Sequence, residues 1–213
     1  MEIYMEEQPT DKNRFERKYY LGLDKNYIFK SFLIQNGYIN SYDPRYVTSI
    51  YYDTDKFKYF KTNVDGLAKR LKVRIRWYNN EVQNKVVEYK IKNGFLGKKI
   101  YLDYLNENDM IHKTIKITGD VIRPIVEINY LREYFISPCK KFRATIDNRI
   151  NARIKNFQKI KSNKVYFDQS ILEFKYERKN DEFFRKFVNK VKFPFRFKKN
   201  SKYVTSLLLL KNF

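Results

Sequence analysis

The run Leu71-Lys72-Val73-Arg74-Ile75-Arg76-Trp77-Tyr78, with the run Val86-Val87-Glu88-Tyr89-Lys90-Ile91-Lys92 that follows it, decides how this chain reads. Both alternate with period two, the mark of β-strands whose successive side chains point to opposite faces. Asn79, Asn80 and Asn84 lie between them and suit a hairpin connection. One face of the pair carries Lys72, Arg74, Arg76 and Tyr78 beside Glu88, Lys90 and Lys92. The other carries Leu71, Val73, Ile75 and Trp77 beside Val87, Tyr89 and Ile91. An antiparallel sheet with one wet face alternates in the same way. The question is whether the charged face meets water or a ligand.

Other strands repeat the pattern. Glu-x-Lys occurs at Glu16-x-Lys18, Glu88-x-Lys90 and Glu173-x-Lys175, and residues i and i+2 of a strand share a face. Arg74-x-Arg76 marks a fourth strand, and Arg143 and Asp147 stand in phase on a fifth. These faces hold few Ser, Thr or Gln, the usual filler of a merely solvated surface. A sheet curled into a barrel turns them all inward and makes a tunnel lined with Lys, Arg and a few carboxylates. Arg offers bidentate contacts to phosphate oxygens and Lys offers point charges. Cations crowded in one cavity repel each other, and a polyphosphate chain would neutralise them. A carboxylate in such a place repels phosphate. It makes sense as a ligand for Mg²⁺ or Mn²⁺ bridging phosphate oxygens.

Composition bounds the rest. The net charge of +21 over 213 residues points to a polyanionic partner. Neither repeat nor linker divides the chain, so one domain over 1–213 is expected. The single cysteine, Cys139, precludes an internal disulfide and fits a reducing compartment. Residues 1–7 are acidic without an apolar core, unlike a signal peptide, and the longest all-aliphatic run, Leu207 to Leu210, is too short to span a bilayer. A cytoplasmic protein follows as the expectation. The many Tyr and Phe read mostly as strand residues, although aromatics among cations can also stack bases.

Along the chain, Arg14 to Leu21 reads as a strand, followed by a helix from an Asp24 cap to about Asn36 with Gly37 as terminator. Tyr46 to Tyr52 reads as a strand, and Asp53-Thr54-Asp55 as the cap of a short aromatic helix. After the central hairpin come a short strand, Lys98 to Leu102, and a helix, Asn106 to Lys116. Strands are expected from Pro124 to Phe135, Lys141 to Asn148, Val165 to Phe167 and Ile171 to Glu177. An amphipathic helix from Asp181 to Val191 ends at Phe193-Pro194-Phe195, before an apolar terminal segment. This is an α+β chain built on a large antiparallel sheet.

The ordered motifs resemble the triphosphate tunnel metalloenzyme superfamily, and within it the VTC-type polyphosphate polymerase domain. Arg14-x-Glu16-x-Lys18-Tyr19 resembles the opening strand, and Ser49-Ile50-Tyr51-Tyr52-Asp53-Thr54 the next signature. Arg74-x-Arg76 and Glu88-x-Lys90 resemble the central basic pair and the following lysine strand. Tyr130-x-Arg132 and Arg143-Ala144-Thr145-Ile146-Asp147 resemble two further phosphate-binding strands. Leu172-Glu173-Phe174-Lys175 resembles the metal-carboxylate strand, and Ser201-Lys202-Tyr203 the closing phosphate lysine.

The resemblance implies a closed antiparallel β-barrel tunnel with flanking helices, a divalent metal (Mn²⁺ or Mg²⁺), and transfer of the ATP γ-phosphate onto a growing polyphosphate. It implies that Arg74, Arg76, Lys90 and Glu173 are catalytic. Lys18, Lys98, Tyr130, Arg132, Arg143, Lys175, Ser201 and Lys202 would bind phosphate, with Lys99 the alternative to Lys98. Glu173 would hold the metal, while Glu16 and Glu88 would orient lysines. The expected partners are ATP and polyphosphate or triphosphate, not nucleic acid.

There are departures. Arg14 stands where the superfamily's triphosphatases open on a second glutamate, and Val126 and Ile128 fall in phase with Arg132 on a face expected to be polar. The membrane segment and regulatory domain of eukaryotic VTC subunits have no counterpart in the sequence, so this chain is not expected to export its product. The alternatives are a triphosphatase of the same fold and a non-catalytic polyphosphate-binding module. His112, on a surface helix, and Cys139, in a loop without a base, carry no expected chemistry. Lys198-Lys199 suits either a solvated pair or the tunnel mouth.

Overall fold

A computed structural model describes residues 14–22, 26–94, 96–104, 106–155, 163–191, 195, 197 and 201–211. The expected Asp24 cap, the Phe193-Pro194 break and the Lys198-Lys199 pair lie outside the described residues. The central hairpin is β3 (Lys69–Tyr78) and β4 (Val86–Asn93), paired so that Arg74 faces Glu88 and Lys72 faces Lys90. It lies in a curled antiparallel sheet with β1 (Arg14–Gly22), β2 (Ile39–Asp53), β5 (Leu96–Asp103), β6 (Arg123–Ile136), β7 (Arg143–Ile154), β8 (Lys164–Tyr166) and β9 (Gln169–Glu177). The order is β1-β9-β7-β6-β2-β3-β4-β5, with β8 on the flank of β7.

The sheet faces are sorted in the opposite sense from a ligand-free barrel: apolar outside, charged inside. Helices explain how this is stable. α1 (Asn26–Gln35) and α4 (Asp181–Lys190) cover the outer side of β9 and β7, where Phe29, Leu33 and Phe184 pack on Leu172, Phe174, Tyr176 and Ile146. α3 (Glu107–Thr118) covers the outer side of the hairpin, where Met110 packs with Val73, Ile75, Val87 and Tyr89. Asn106 caps α3 by accepting the Asp109 N–H, and Gly119 ends it in the left-handed conformation (φ 73°). With the apolar faces covered, the charged faces point into the curl.

The phase problem on β6 has a local answer. α5 (Lys202–Lys211), the apolar terminal segment of the sequence, packs into one end of the curl. There Tyr203 and Leu207 bury Val126 and Ile128 of β6 with Ile150 and Ala152 of β7. The inner face is therefore apolar under α5 and charged beyond it, with Tyr130 at the boundary. A bulge in β7, where Asn148 and Asn151 face Leu131 and Asn129, re-phases the strand so that Asp147 and Ile150 both point inward. Asp53 ties this end together. Its wholly buried carboxylate accepts from the Tyr59 and Phe60 amides of α2 (Lys58–Val64), which starts two residues later than expected with Phe57 at its N-cap position, and from the Tyr203 hydroxyl at 2.6 Å.

The sequence predicts a closed barrel, and the structure is a tunnel of a different closure. Among the described residues no backbone ladder joins the edge strands β1 and β5. Side chains span the seam instead, where Glu16 of β1 meets Lys90 of β4 at 3.1 Å and Lys99 of β5 at 3.5 Å.

Candidate active site

The inward faces converge on one cavity of about 170 Å³, room for on the order of ten water molecules. Nine cationic side chains line it, against three carboxylates: Glu16, Glu88 and Glu173. A fourth carboxylate, Asp147, lies wholly buried beneath two of the cations.

These charges follow a simple rule. Each carboxylate holds two cations. Glu88 meets Arg74 (Nε to Oε2, 2.9 Å) and Arg76 (3.1 Å). Glu173 meets Lys175 (3.0 Å) and Lys18 (3.6 Å). Glu16 meets Lys90 and Lys99 across the seam. Asp147 receives both guanidinium arms of Arg132 (2.6 and 2.8 Å) and the Lys202 ammonium. Every such triad keeps one net positive charge, and each cation is aimed by a fixed partner. The carboxylates stay ionised. Burial alone would raise Glu88, but Arg74 and Arg76 pull it down to about 2. Burial likewise opposes ionisation of Glu16, which Lys90 draws down to about 2. Glu173 is buried too, yet Lys175 and Lys18 hold it well below the usual carboxylate range.

Tyr130 completes this wall. The Lys202 Nζ lies 4.5 Å from its ring centre and the Arg132 guanidinium 5.2 Å. Burial would raise its phenol, but Arg132, Arg76 and Lys202 bring it below its ordinary value. Arg74 is further fixed by the Tyr51 hydroxyl at 2.9 Å.

The ninth cation breaks the rule. Lys72 has no carboxylate partner among the described residues and donates to Ser201 Oγ at 2.8 Å. Burial, then the repulsion of Lys18, Lys90 and Arg74, lowers its pKa to about 7 from an ordinary 10.5. The sign of the consequence is fixed. Below about pH 7 folded and unfolded chains both carry this proton, and the folded state bears the full repulsion. Between about 7 and 10.5 the unfolded chain keeps the proton and the folded chain gives it up, so stability rises with pH across that window. A bound polyanion reverses the shift. Tripolyphosphate binding near pH 8 is therefore expected to take up a proton, seen calorimetrically as a binding enthalpy that changes with the ionisation enthalpy of the buffer. Lys72→Met should remove most of that uptake, and a wild-type enthalpy independent of buffer refutes the assignment.

Of the positions expected from the sequence, Lys18, Arg74, Arg76, Lys90, Tyr130, Arg132, Glu173, Lys175, Ser201 and Lys202 all line the cavity. Two do not. Lys98 pairs with Ile91 and shares its outer phase, whereas Lys99 pairs with Lys90 and faces inward. The tight turn at Gly94 (φ 58°) sets that register, which alternation alone left open. Arg143 stands opposite Lys175 in the inward phase, but it opens β7 and is exposed beyond the cavity. Glu16 orients lysines as expected, while Glu88 orients arginines. Tyr51 and Tyr101 also line the cavity without a role expected from the sequence, as does Lys72, which the sequence places on the inward face without a role. For Lys72 the signal was present, since it shares the face of Arg74 and Arg76. His112 is exposed on α3, and Cys139 is exposed in the turn before β7.

A family model for the VTC domain matches residues 13–116 and 104–211, together almost the whole chain. The chain belongs to the VTC domain family. Solved structures share the triphosphate tunnel fold of this VTC domain at low identity. The PH1819 protein from Pyrococcus horikoshii OT3 is 16% identical, with a TM-score of 0.52 over 92% of this chain and 98% of that one. A Vibrio parahaemolyticus protein described as a candidate adenylate cyclase is 12% identical, with a TM-score of 0.54 over 91% and 98%. HpAC1 from Hippeastrum, described as having a dominant triphosphatase activity, is 9% identical, with a TM-score of 0.52 over 90% and 95%. At these identities the likeness concerns the fold alone. A search of curated proteins finds no match. Among the described residues of this VTC domain, no helix is long and apolar enough to cross a membrane.

Proposed function

We propose that this VTC domain is an ATP-dependent polyphosphate polymerase that transfers the γ-phosphoryl group of ATP to the end of a polyphosphate chain. The observation that carries the reading is the set of carboxylate-aimed cations, each triad with an unspent positive charge facing one narrow cavity. Phosphoryl transfer asks for little covalent chemistry from a protein. It asks for alignment and for charge opposite the equatorial oxygens. The terminal oxygen of the acceptor chain forms a bond to the γ-phosphorus, the bond to the β–γ bridging oxygen breaks, and ADP leaves with that electron pair. In this reading Arg74, Arg76 and Lys90 neutralise the transferred group, and Lys18, Arg132, Lys175, Ser201 and Lys202 hold the phosphates on either side. Lys99, which lines the cavity where Lys98 does not, adds a further phosphate contact.

A divalent ion, Mn²⁺ or Mg²⁺, fits the donor set in a limited way. The described residues contain no cluster of three acidic, histidine or cysteine ligands. Glu173 offers one ionised carboxylate in the cavity, and ions of this kind are often held by one or two carboxylates with substrate phosphates and water. Glu173 would hold it, and the ion would supply charge neutralisation between phosphate oxygens. All four carboxylates, Glu173 included, orient cations, and Arg14 stands where a second metal-binding glutamate would open β1, which favours transfer over a hydrolytic site built on two such glutamates. A lone cysteine accords with work in the cytoplasm.

The experiment is to incubate the protein with ATP and Mn²⁺ and to resolve the products on a gel. A ladder of polyphosphate with release of ADP is expected. Steady release of orthophosphate without polymer would replace this reading by the triphosphatase. Binding without either product would replace it by the non-catalytic module.

A further inference from the structure

The inner face changes character at the end of the tunnel remote from α5. Two residues beyond Arg76 on β3 stands Tyr78, and two beyond Arg132 on β6 stands Tyr134, each displaced about 7 Å along its strand in the inward phase. Between them β2 carries Arg45, paired with Arg132, and Tyr42, paired with Tyr134. Positions 42 and 45 have opposite parity and would ordinarily face opposite ways. An irregularity spanning Asp43-Pro44 inserts one extra residue against β6 and brings both to the same face.

The result is a cup. The Arg45 guanidinium lies 5.2 Å from the ring centre of Tyr42, 5.5 Å from that of Tyr78 and 5.2 Å from that of Tyr134. Tyr42 and Tyr134 meet edge to face at 5.7 Å. Arg45 differs from every arginine of the cavity in its partners. It makes no hydrogen bond or ion pair with any described residue, so its face rests on rings while its donor edge stays uncommitted. Tyr42 is 61% exposed.

A phosphate chain can accept from a tyrosine hydroxyl but has no use for the face of its ring. A flat, π-faced group covalently attached to phosphates does. Rings and a guanidinium plane stack bases regardless of sequence. We propose that this cup is a nucleoside subsite: the base of a nucleoside triphosphate stacks on Tyr42 and Tyr134, and Arg45 meets its ribose-side phosphate. The γ-phosphate of such a nucleotide points inward toward Arg74, Arg76 and Glu173. This rests on the polymerase reading and adds to it which mouth admits the nucleotide.

The test compares a ligand with a base and one without. ATP and inorganic tripolyphosphate are titrated into wild type, Tyr42→Ser and Arg45→Ala, and the ratio of their Kd values is followed. Wild type is expected to bind both. Each variant is expected to weaken ATP on the order of tenfold relative to tripolyphosphate, within the range that stacking one base is worth. Arg45→Ala also removes a cation and so weakens tripolyphosphate somewhat. Tyr42→Ser, at a largely exposed ring, leaves tripolyphosphate unchanged and carries the test if Arg45→Ala fails to fold. A ratio unmoved in Tyr42→Ser overturns the subsite while leaving the polymerase reading intact. A wild-type protein that binds neither ligand overturns both.

Discussion

Glu173→Gln is expected to slow polyphosphate synthesis on the order of 10²- to 10³-fold while tripolyphosphate binds as tightly as before or tighter. The substitution preserves shape and leaves an amide oxygen toward Lys175 and Lys18, which now sit 3.0 and 3.6 Å from the carboxylate. It removes one negative charge from a cavity with nine cationic side chains. For a bound polyanion that is the loss of a repulsion. For the transition state it is the loss of the carboxylate proposed to share a divalent ion, and removal of one preorganised electrostatic element costs a factor of this size. Steady-state rates with ATP and Mn²⁺ are measured beside tripolyphosphate Kd values. An undiminished rate, or a rate and an affinity that fall together, rejects Glu173 as the metal carboxylate and leaves it a partner of lysines like Glu16.

The largest effect on stability is expected at Asp147. Its carboxylate is wholly buried and is the common partner of Arg132 and Lys202. Asp147→Asn leaves two cations against each other with no counter-charge. Breaking a buried pair by deleting one member costs about 3–5 kcal/mol, or roughly 6–20 °C in Tm for a chain of this length. Burial would raise the Asp147 pKa, but Arg132 and Lys202 hold it well below the ordinary 3.8. A depressed carboxylate contributes stability that is present above its unfolded pKa and is lost only as pH falls through the folded one. The deficit of the variant is therefore expected to be constant from pH 5 to 8, where Lys72 makes the wild-type curve bend. Tripolyphosphate at about 100 times its Kd should restore about 2.7 kcal/mol. A deficit under about 1 kcal/mol, or one that grows in the presence of ligand, refutes this account of the triad.

Much of the site was legible because a strand is the simplest of codes. In β3, β4 and β9 one alternation of apolar and charged residues assigns every side chain to a face, and the helices that cover the apolar face leave the other for the cavity. The same code fails where the backbone leaves its period. The bulge in β7 near Arg149 (φ 52°) and the irregularity at Asp43-Pro44 each shift phase by one residue. Tyr42 and Arg45 therefore drop out of any count by twos. Lys98 and Lys99 are equivalent to such a count, and only the hairpin register separates them.

Local alternation and the order of motifs were thus enough to name the strands, the inward face of most of them and the polyanionic character of what they enclose, because these depend on neighbours one or two positions away. Partnership across the chain was decided by tertiary structure alone: Asp147 with Lys202, Glu16 with two lysines across the seam, α5 filling one end. So was the state of Lys72, whose proton is loosened first by burial and then by Lys18 and Lys90, which folding brings beside Arg74 of its own strand. Coulombic forces act through space, and sequence separation does not measure that distance.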